Sequence, residues 1–180
     1  PTMLHEIALA DEEGATIFAY HVRDPERYGV INFDANGNPT SIEEKPKNPT
    51  SHYASIGLYF YDNQVTDIAA DLKPSDRGEL EITDVNNVYL RRGELKVEKL
   101  GRGVAWLDTG TCDSLMEASN FVAAIEKRQG LKIACLEEIA WRMGWITAGD
   151  VESLAHKMSN PGFAQYLMEL IHTENLELKK

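Results

Sequence analysis

The chain has 180 residues, of which 43% are hydrophobic and 26% charged, and its formal net charge is -11. That length accommodates one compact domain and a small appendage, with the composition of an ordinary globular protein. The negative balance argues against a nucleic-acid polymer or an anionic membrane as partner, because both need a basic surface, yet it leaves room for a locally basic pocket. No run approaches the roughly 20 apolar residues of a membrane-spanning helix, and no signal peptide is visible. Cys112 and Cys135 form no Cys-x-x-Cys pair or Cys/His cluster that would mark zinc, and read as reduced thiols of a cytoplasmic protein. The first residue is Pro1, not methionine, so the numbering is expected to begin inside a longer product.

In chain order, residues 3–10 place Leu4, Ile7 and Ala8 at helical spacing ahead of Gly14. Residues 15–22 and 29–34 are β-branched and aromatic strand runs, and Asn36-Gly37 signals a tight hairpin turn into a partner strand at 39–45. The run 54–62 is more continuously apolar, which predicts a central strand. Helices are predicted at 63–73 and 79–93, the second with Leu80, Val85 and Leu90 inward. The alternating run 95–100 predicts an edge or half-buried strand, and 103–108 a last strand. Beyond Thr111 the pattern is helical. Leu115, Ala118, Phe121, Val122 and Ile125 share one face before Gly130, and a short helix follows at 135–145. Thr147 caps a third helix with Asp150 three residues on. Asn160-Pro161 starts a fourth, with Phe163, Tyr166, Leu167, Leu170 and Ile171 inward. The fold class is therefore α/β, residues 1–111, with a helical subdomain at 112–180.

Four stretches carry residue types suited to chemistry, and each has a plainer reading. Asp108, at the end of an apolar strand before Thr109-Gly110, suits Mg2+, which takes one or two carboxylates and completes its shell with water and phosphate; it equally suits a helix cap. In Glu43-Glu44-Lys45-Pro46, Lys45 suits a phosphate and Glu44 sugar hydroxyls, or both sit on a solvated strand end. Arg77 offers a planar fork to a phosphate, near Glu79 and Glu81, while acids there also suit a helix start. Gly29 lets a ligand approach the backbone and Tyr28 offers a ring and a hydroxyl, or the pair opens a strand. The five histidines are scattered, and no nucleophile elbow or Walker-type loop occurs.

Each stretch is weak alone, but their order is specific. Read together, RYGV, Asn-Gly, EEKP, YASIGLYFYD, RGELEITDVN, GRGVAWLDTGT, SLMEASNFV and RQGLKIACLEEIAWRMGWI resemble the bacterial glucose-1-phosphate thymidylyltransferases over nearly the whole chain. The resemblance implies a Rossmann-like nucleotidyltransferase fold (mixed sheet, three layers) with a helical extension, in a homotetramer that has a feedback site for the end-product nucleotide sugar. It implies the reaction of glucose 1-phosphate with dTTP, giving dTDP-glucose and pyrophosphate with Mg2+. By resemblance Asp108 is a metal ligand, and Lys45 and Arg77 hold the sugar phosphate with the Tyr59 hydroxyl. Glu44, Gly29 and Tyr28 meet the sugar, and Glu79 and Trp106 line or support the pocket. Arg102, Lys132, Ile133, Glu138, Ile139 and Arg142 resemble part of the effector site.

The sequence departs from the family pattern at Ser55 and Ile56, where Val-Thr is usual, which bears on sugar preference. Cys112 stands where histidine is common. The family's Gly-Gly-x-Gly-Thr-Arg-Leu loop, which cradles the nucleotide phosphates, and its Gly-Asp-Asn metal aspartate do not occur in these residues. The chain is accordingly expected to correspond to a C-terminal portion, inactive or nearly so by itself. The alternatives are a non-catalytic sugar-phosphate or nucleotide-sugar binding or oligomerisation module, and a uridylyltransferase-type relative.

Overall fold

The computed structural model of the chain describes residues 2–10 and 13–177. The chain divides into two compact units, 1–106 and 107–180, a boundary five residues ahead of the one read from the sequence at 111.

The first unit is built on a five-stranded sheet in the order β3-β2-β4-β1-β5. Its strands are β1 (Ala15–His21), β2 (Gly29–Phe33), β3 (Pro39–Glu44), β4 (Tyr53–Tyr61) and β5 (Leu95–Lys99). The sheet is mixed: β5 runs parallel to β1, and the other pairings are antiparallel. The apolar run of β4 is central, as its continuous hydrophobicity predicts, and β5 is an edge whose Lys96, Glu98 and Lys99 discourage further pairing. The β2–β3 hairpin does turn at Asn36-Gly37, but Asp34 organises it. Its Oδ1 accepts the amides of Asn36 and Asn38 at 2.9 and 2.8 Å, and these bonds, with the Asn38 side chain foremost, hold the carboxyl below its usual range.

The β1–β4 ladder is irregular. Ile17 pairs with Tyr59 but Ala19 pairs with Ser55, so Phe18 alone stands opposite residues 56–58. Two extra residues on β4 make a bulge, which bends the strand between Ser55 and Tyr59.

Helices α2 (Val65–Ala70) and α3 (Ile82–Arg92) cover one face of the sheet, and α1 (Thr2–Leu9) precedes β1. The core between sheet and helices holds Ile17, Ala19, Ile31, Ile42, Ile68, Val85, Tyr89 and Leu95. Helix α3 ends at Gly93, whose left-handed conformation lets Glu94 N–H return to the Tyr89 carbonyl at 3.0 Å.

Three expectations for this unit need correction. The predicted helix at 79–93 begins only at Ile82, because residues 75–79 close a turn of their own, and Leu80 is 61% exposed instead of inward. The helix expected at 63–73 is shorter, since the Asp62 carboxylate takes the Gln64 amide and holds residues 62–64 in a turn. The run 103–108 is not a strand: it follows a turn at 101–104 and is held by side chains, with Tyr20 OH donating to the Val104 carbonyl at 3.1 Å. A short apolar run favours an extended chain but does not supply a pairing partner.

The second unit contains α4 (Cys112–Gln129), α5 (Leu136–Arg142), α6 (Ala148–Lys157) and α7 (Pro161–Glu177). Capping boxes open α4 at Thr111/Ser114 and α6 at Thr147/Asp150, the latter as predicted. Asn160 Oδ1 accepts the amides of Gly162 and Phe163 at the start of α7. Val151 and Ala155 of α6 pack on Leu167 and Ile171 of α7 with Cys135, so the inward face read for the last helix is the buried one. The stripe read on α4 is only partly so: Ala118 is buried, but Leu115 and Phe121 are exposed, because periodicity defines a face without supplying what covers it. Both cysteines are free thiols.

Candidate functional site

At the β2/β3 end of the sheet the backbone of Gly29 pairs directly with Glu44. Three groups crowd the place where a side chain on Gly29 would stand. A Cβ there would lie 3.0 Å from Thr83 Oγ1, 3.2 Å from Glu44 Oε2 and 3.8 Å from Ser55 Cβ. Thr83 comes from the first turn of α3 and donates to Glu44 Oε2 at 2.6 Å. The other Glu44 oxygen lies 3.6 Å from Arg77 Nη1. Arg77 in turn donates to Glu79 at 2.8 Å and pairs with Glu81 at 3.3 Å, so one guanidinium sits among three carboxylates. These pairs are partly exposed and contribute about 1 kcal/mol or less each, so their value is positional.

The sequence-predicted residues Gly29, Glu44, Arg77 and Glu79 are thus brought together, and Thr83, Glu81 and Ser55 join them. Across the bulge, Tyr59 is half-buried and stacks on Tyr61 at 5.7 Å between centroids. Burial pushes its phenol up, and the nearby Glu44 carboxylate adds to that. Ser55 Oγ is buried on the same strand, facing the Tyr59 hydroxyl, which tempers the upward push on that phenol. Tyr28 and Trp106 meet edge-to-face at 5.0 Å, and Trp106 also packs on Tyr20 at 6.0 Å, giving an aromatic wall beside Gly29.

Lys45 follows Glu44 directly. Its side chain is exposed, and its backbone has φ +44 with the N–H held by the Tyr28 carbonyl at 3.0 Å. A non-glycine residue in that region costs about 1–3 kcal/mol, a cost typical of residues fixed at functional positions. The strand end therefore turns sharply at the residue whose cation the sequence reading assigns to phosphate.

In the second unit Asp108 accepts the Gly110 amide at 3.1 Å, while Thr111 caps α4. Among the described residues no group of three or more His, Cys, Asp or Glu side chains could hold a metal ion. One carboxylate such as that of Asp108 still fits Mg2+ as a single ligand of a shell completed by water and phosphate. Four of the six predicted effector residues, Lys132, Ile133, Glu138 and Arg142, form one cluster. Lys132 Nζ donates to Glu126 at 2.7 Å, and the Ile133 amide reaches the other Glu126 oxygen at 3.0 Å. Arg142 Nε donates to Glu138 at 2.8 Å, the Tyr166 hydroxyl also donates to Glu138, and the Lys132 amide donates to Tyr166 at 3.2 Å. The Lys132 bond, foremost, holds the Glu126 carboxyl below its usual range. Ile139 is exposed on α5 next to Glu138. Arg102 belongs to the first unit, on the exposed turn at 101–104.

A cavity of about 660 Å3 lies elsewhere, lined by Ile7, Gly14, Thr16, Phe60, Asp62 and Lys96 among others, and none of the predicted site residues lines it. The sequence reading missed Thr83, Ser75 and Tyr166. Thr83 was within reach: it stands two residues beyond Glu81 in a stretch already singled out, and a helix start at Ile82 would have placed it in the first turn.

The family model described as "Nucleotidyl transferase" matches residues 2–125. A glucose-1-phosphate thymidylyltransferase of Neisseria gonorrhoeae is 56% identical over 164 residues, 91% of this chain and 57% of that protein. One of Mycolicibacterium smegmatis is 57% identical over 161 residues, 89% of this chain and 56% of that protein. The chain thus spans little more than half the length of these curated relatives. Among solved structures, a Bacillus anthracis protein crystallised with a sucrose, and described as a putative glucose-1-phosphate thymidylyltransferase, superposes with a TM-score of 0.58 at 44% identity, over 67% of this chain and 47% of that one. With the family model covering both the sheet and the Glu44–Arg77 cradle, the chain belongs to the nucleotidyl transferase family.

Proposed function

We propose that these residues form the sugar-phosphate side of a glucose-1-phosphate thymidylyltransferase. The observation that carries this reading is the close cluster at Gly29, where Glu44, Thr83 and Arg77 meet, in a chain more than half identical to such enzymes. Glu44 and Glu79 are acceptors for sugar hydroxyls, and the Tyr28–Trp106 wall gives the apolar face of a hexose a surface to pack on. Lys45 and Arg77 supply the positive charge for the phosphate.

In the reaction so assigned, a phosphate oxygen of glucose 1-phosphate attacks the α-phosphorus of dTTP in line. A new P–O–P linkage forms, the bond between the α- and β-phosphates breaks, and pyrophosphate leaves with the electron pair. No group of the chain becomes covalently attached. The residues here contribute orientation of the attacking phosphate and neutralisation of its charge. Asp108 would give one carboxylate to Mg2+, which neutralises phosphate charge when bound. The second-unit cluster of Glu126, Lys132, Glu138 and Arg142 would take a nucleotide-sugar effector, in a cytoplasmic homo-oligomer.

Calorimetric titration with glucose 1-phosphate, with and without Mg2+, tests the reading. Saturable binding that weakens at least tenfold in Lys45→Ala, with the unfolding midpoint unchanged because the side chain is exposed, is expected. Absence of binding at millimolar ligand, or equal binding by the variant, would count against it.

A further inference from the structure

The loop that carries Arg77 has a centre, and it is Ser75. All four polar functions of this residue are used within the loop. Its N–H donates to the Glu79 carbonyl at 2.8 Å and its carbonyl accepts the Gly78 amide at 2.8 Å. Its hydroxyl accepts the Arg77 amide at 3.2 Å and donates to Glu81 Oε1 at 2.9 Å. That same Glu81 oxygen lies 3.3 Å from Arg77 Nη1. One hydroxyl therefore fixes the guanidinium at both ends: through the backbone N–H of Arg77, and through the carboxylate against which its fork rests.

Glu81 is the one member of the carboxylate trio that is nearly buried, with 11% of its side chain exposed, whereas Glu79 is 61% exposed. A buried carboxylate needs its hydrogen bonds, so it holds its position only while both Ser75 and Arg77 serve it. Arg77 is 38% exposed, and its other counter-ions are Glu79, itself 61% exposed, and the more distant Glu44 at 3.6 Å, so when Glu81 is not held in place the guanidinium samples more rotamers.

We propose that Ser75 is a positioning residue: it sets where the Arg77 guanidinium stands and so fixes the phosphate end of the sugar-phosphate site. This role rests on the sugar-phosphate reading of the Gly29 cradle, but the placement of Arg77 can be tested without any ligand.

The test uses Ser75→Ala, which removes the hydroxyl, and Ser75→Thr, which keeps it. Each chain is treated with phenylglyoxal, and the modification of Arg77 is followed by peptide mass spectrometry against the exposed Arg23 and Arg128 of the same molecule. Arg77 in Ser75→Ala is expected to react at least threefold faster relative to the two references, and in Ser75→Thr at the wild-type ratio. An unchanged or lower ratio in Ser75→Ala overturns the proposal, and so does failure of Ser75→Thr to restore it. Because the two references are already exposed, general loosening is read separately from the thermal unfolding midpoint, which is expected to stay within about 4 °C of wild type in Ser75→Ala. In parallel, glucose 1-phosphate and glucose are titrated. Ser75→Ala is expected to lose about tenfold in affinity for the phosphorylated sugar and nothing for glucose, and equal losses for both would overturn the proposal. Failure of the wild-type chain to bind either sugar counts against the sugar-phosphate reading alone, while the Arg77 ratio still decides the role of Ser75.

Discussion

Gly29→Ala puts the close approach of three elements to a direct test. The new methyl would stand 3.0 Å from Thr83 Oγ1 and 3.2 Å from Glu44 Oε2. Neither oxygen can retreat freely. They are joined by a 2.6 Å hydrogen bond, Thr83 is 3% exposed, and Glu44 is the direct ladder partner of Gly29. Overpacking of this kind costs about 1–3 kcal/mol. Replacing glycine in a strand returns roughly 0.5–1 kcal/mol of chain entropy. The net expectation is a loss of about 1 kcal/mol, read as a lower urea midpoint at unchanged slope. Binding should suffer more, because the methyl occupies the cradle and tilts the Glu44 carboxylate; a loss of at least tenfold in glucose 1-phosphate affinity is expected. Gly57→Ala is the control, since a Cβ there meets nothing within 4 Å, and it should match or slightly exceed wild-type stability. A Gly29→Ala chain with wild-type midpoint and wild-type affinity would refute the geometry, since the Thr83–Glu44 pair could not then stand against the Gly29 backbone.

Two further substitutions probe hydrogen-bonded supports, one within each unit. Asp62 accepts the Gly14 amide and the Tyr89 hydroxyl, both at 2.8 Å, and these bonds, Gly14 foremost, lower its carboxyl below the ordinary 3.8. A carboxyl lowered in the folded state stabilises at pH values above its unfolded pKa, and that contribution disappears as pH falls through the folded value. Asp62→Asn should therefore be less stable than wild type at neutral pH, with the gap closing below pH 3.8; parallel stability curves down to pH 2 would contradict the assignment. Tyr166→Phe removes the hydroxyl that donates to Glu138 and accepts the Lys132 amide. It should cost about 1–2 kcal/mol, seen as a thermal midpoint for the second unit at least roughly 4 °C lower, and a midpoint within 1 °C of wild type would show that the cluster does not tie α5 to α7.

How much of the fold and the site was legible in the sequence depended on whether the signal was local. The strands, the central place of β4 and the Thr147/Asp150 cap follow from residues adjacent in the chain, where period and capping chemistry act directly. Glu44, Gly29 and Arg77 were found because their order resembles a family, not because spacing reveals that they meet. Thr83 and Ser75 were missed for a physical reason: their importance lies in hydrogen bonds to Glu44 and Glu81, and a hydroxyl carries no periodicity. The run 103–108 misled in the opposite direction, since its apolar character is real but the chain there is held by Tyr20 and by the Trp106 ring.

The bulge in β4 shows how these levels connect. An uninterrupted antiparallel ladder would keep Ser55 and Tyr59 four residues apart along a straight strand, about 13 Å. Placing residues 56–58 opposite Phe18 alone breaks that regular ladder between Ser55 and Tyr59. Ser55 then falls beside the Gly29 backbone, and Tyr59 comes close enough for the Glu44 carboxylate to raise its phenol. The bulge coincides with the stretch where this sequence reads Ser55-Ile56, and it leaves the Ser55 hydroxyl buried on the side of Tyr59. The irregularity weakens the ladder locally at the place where side chains of β2, β3 and β4 meet, as bulges beside functional sites commonly do.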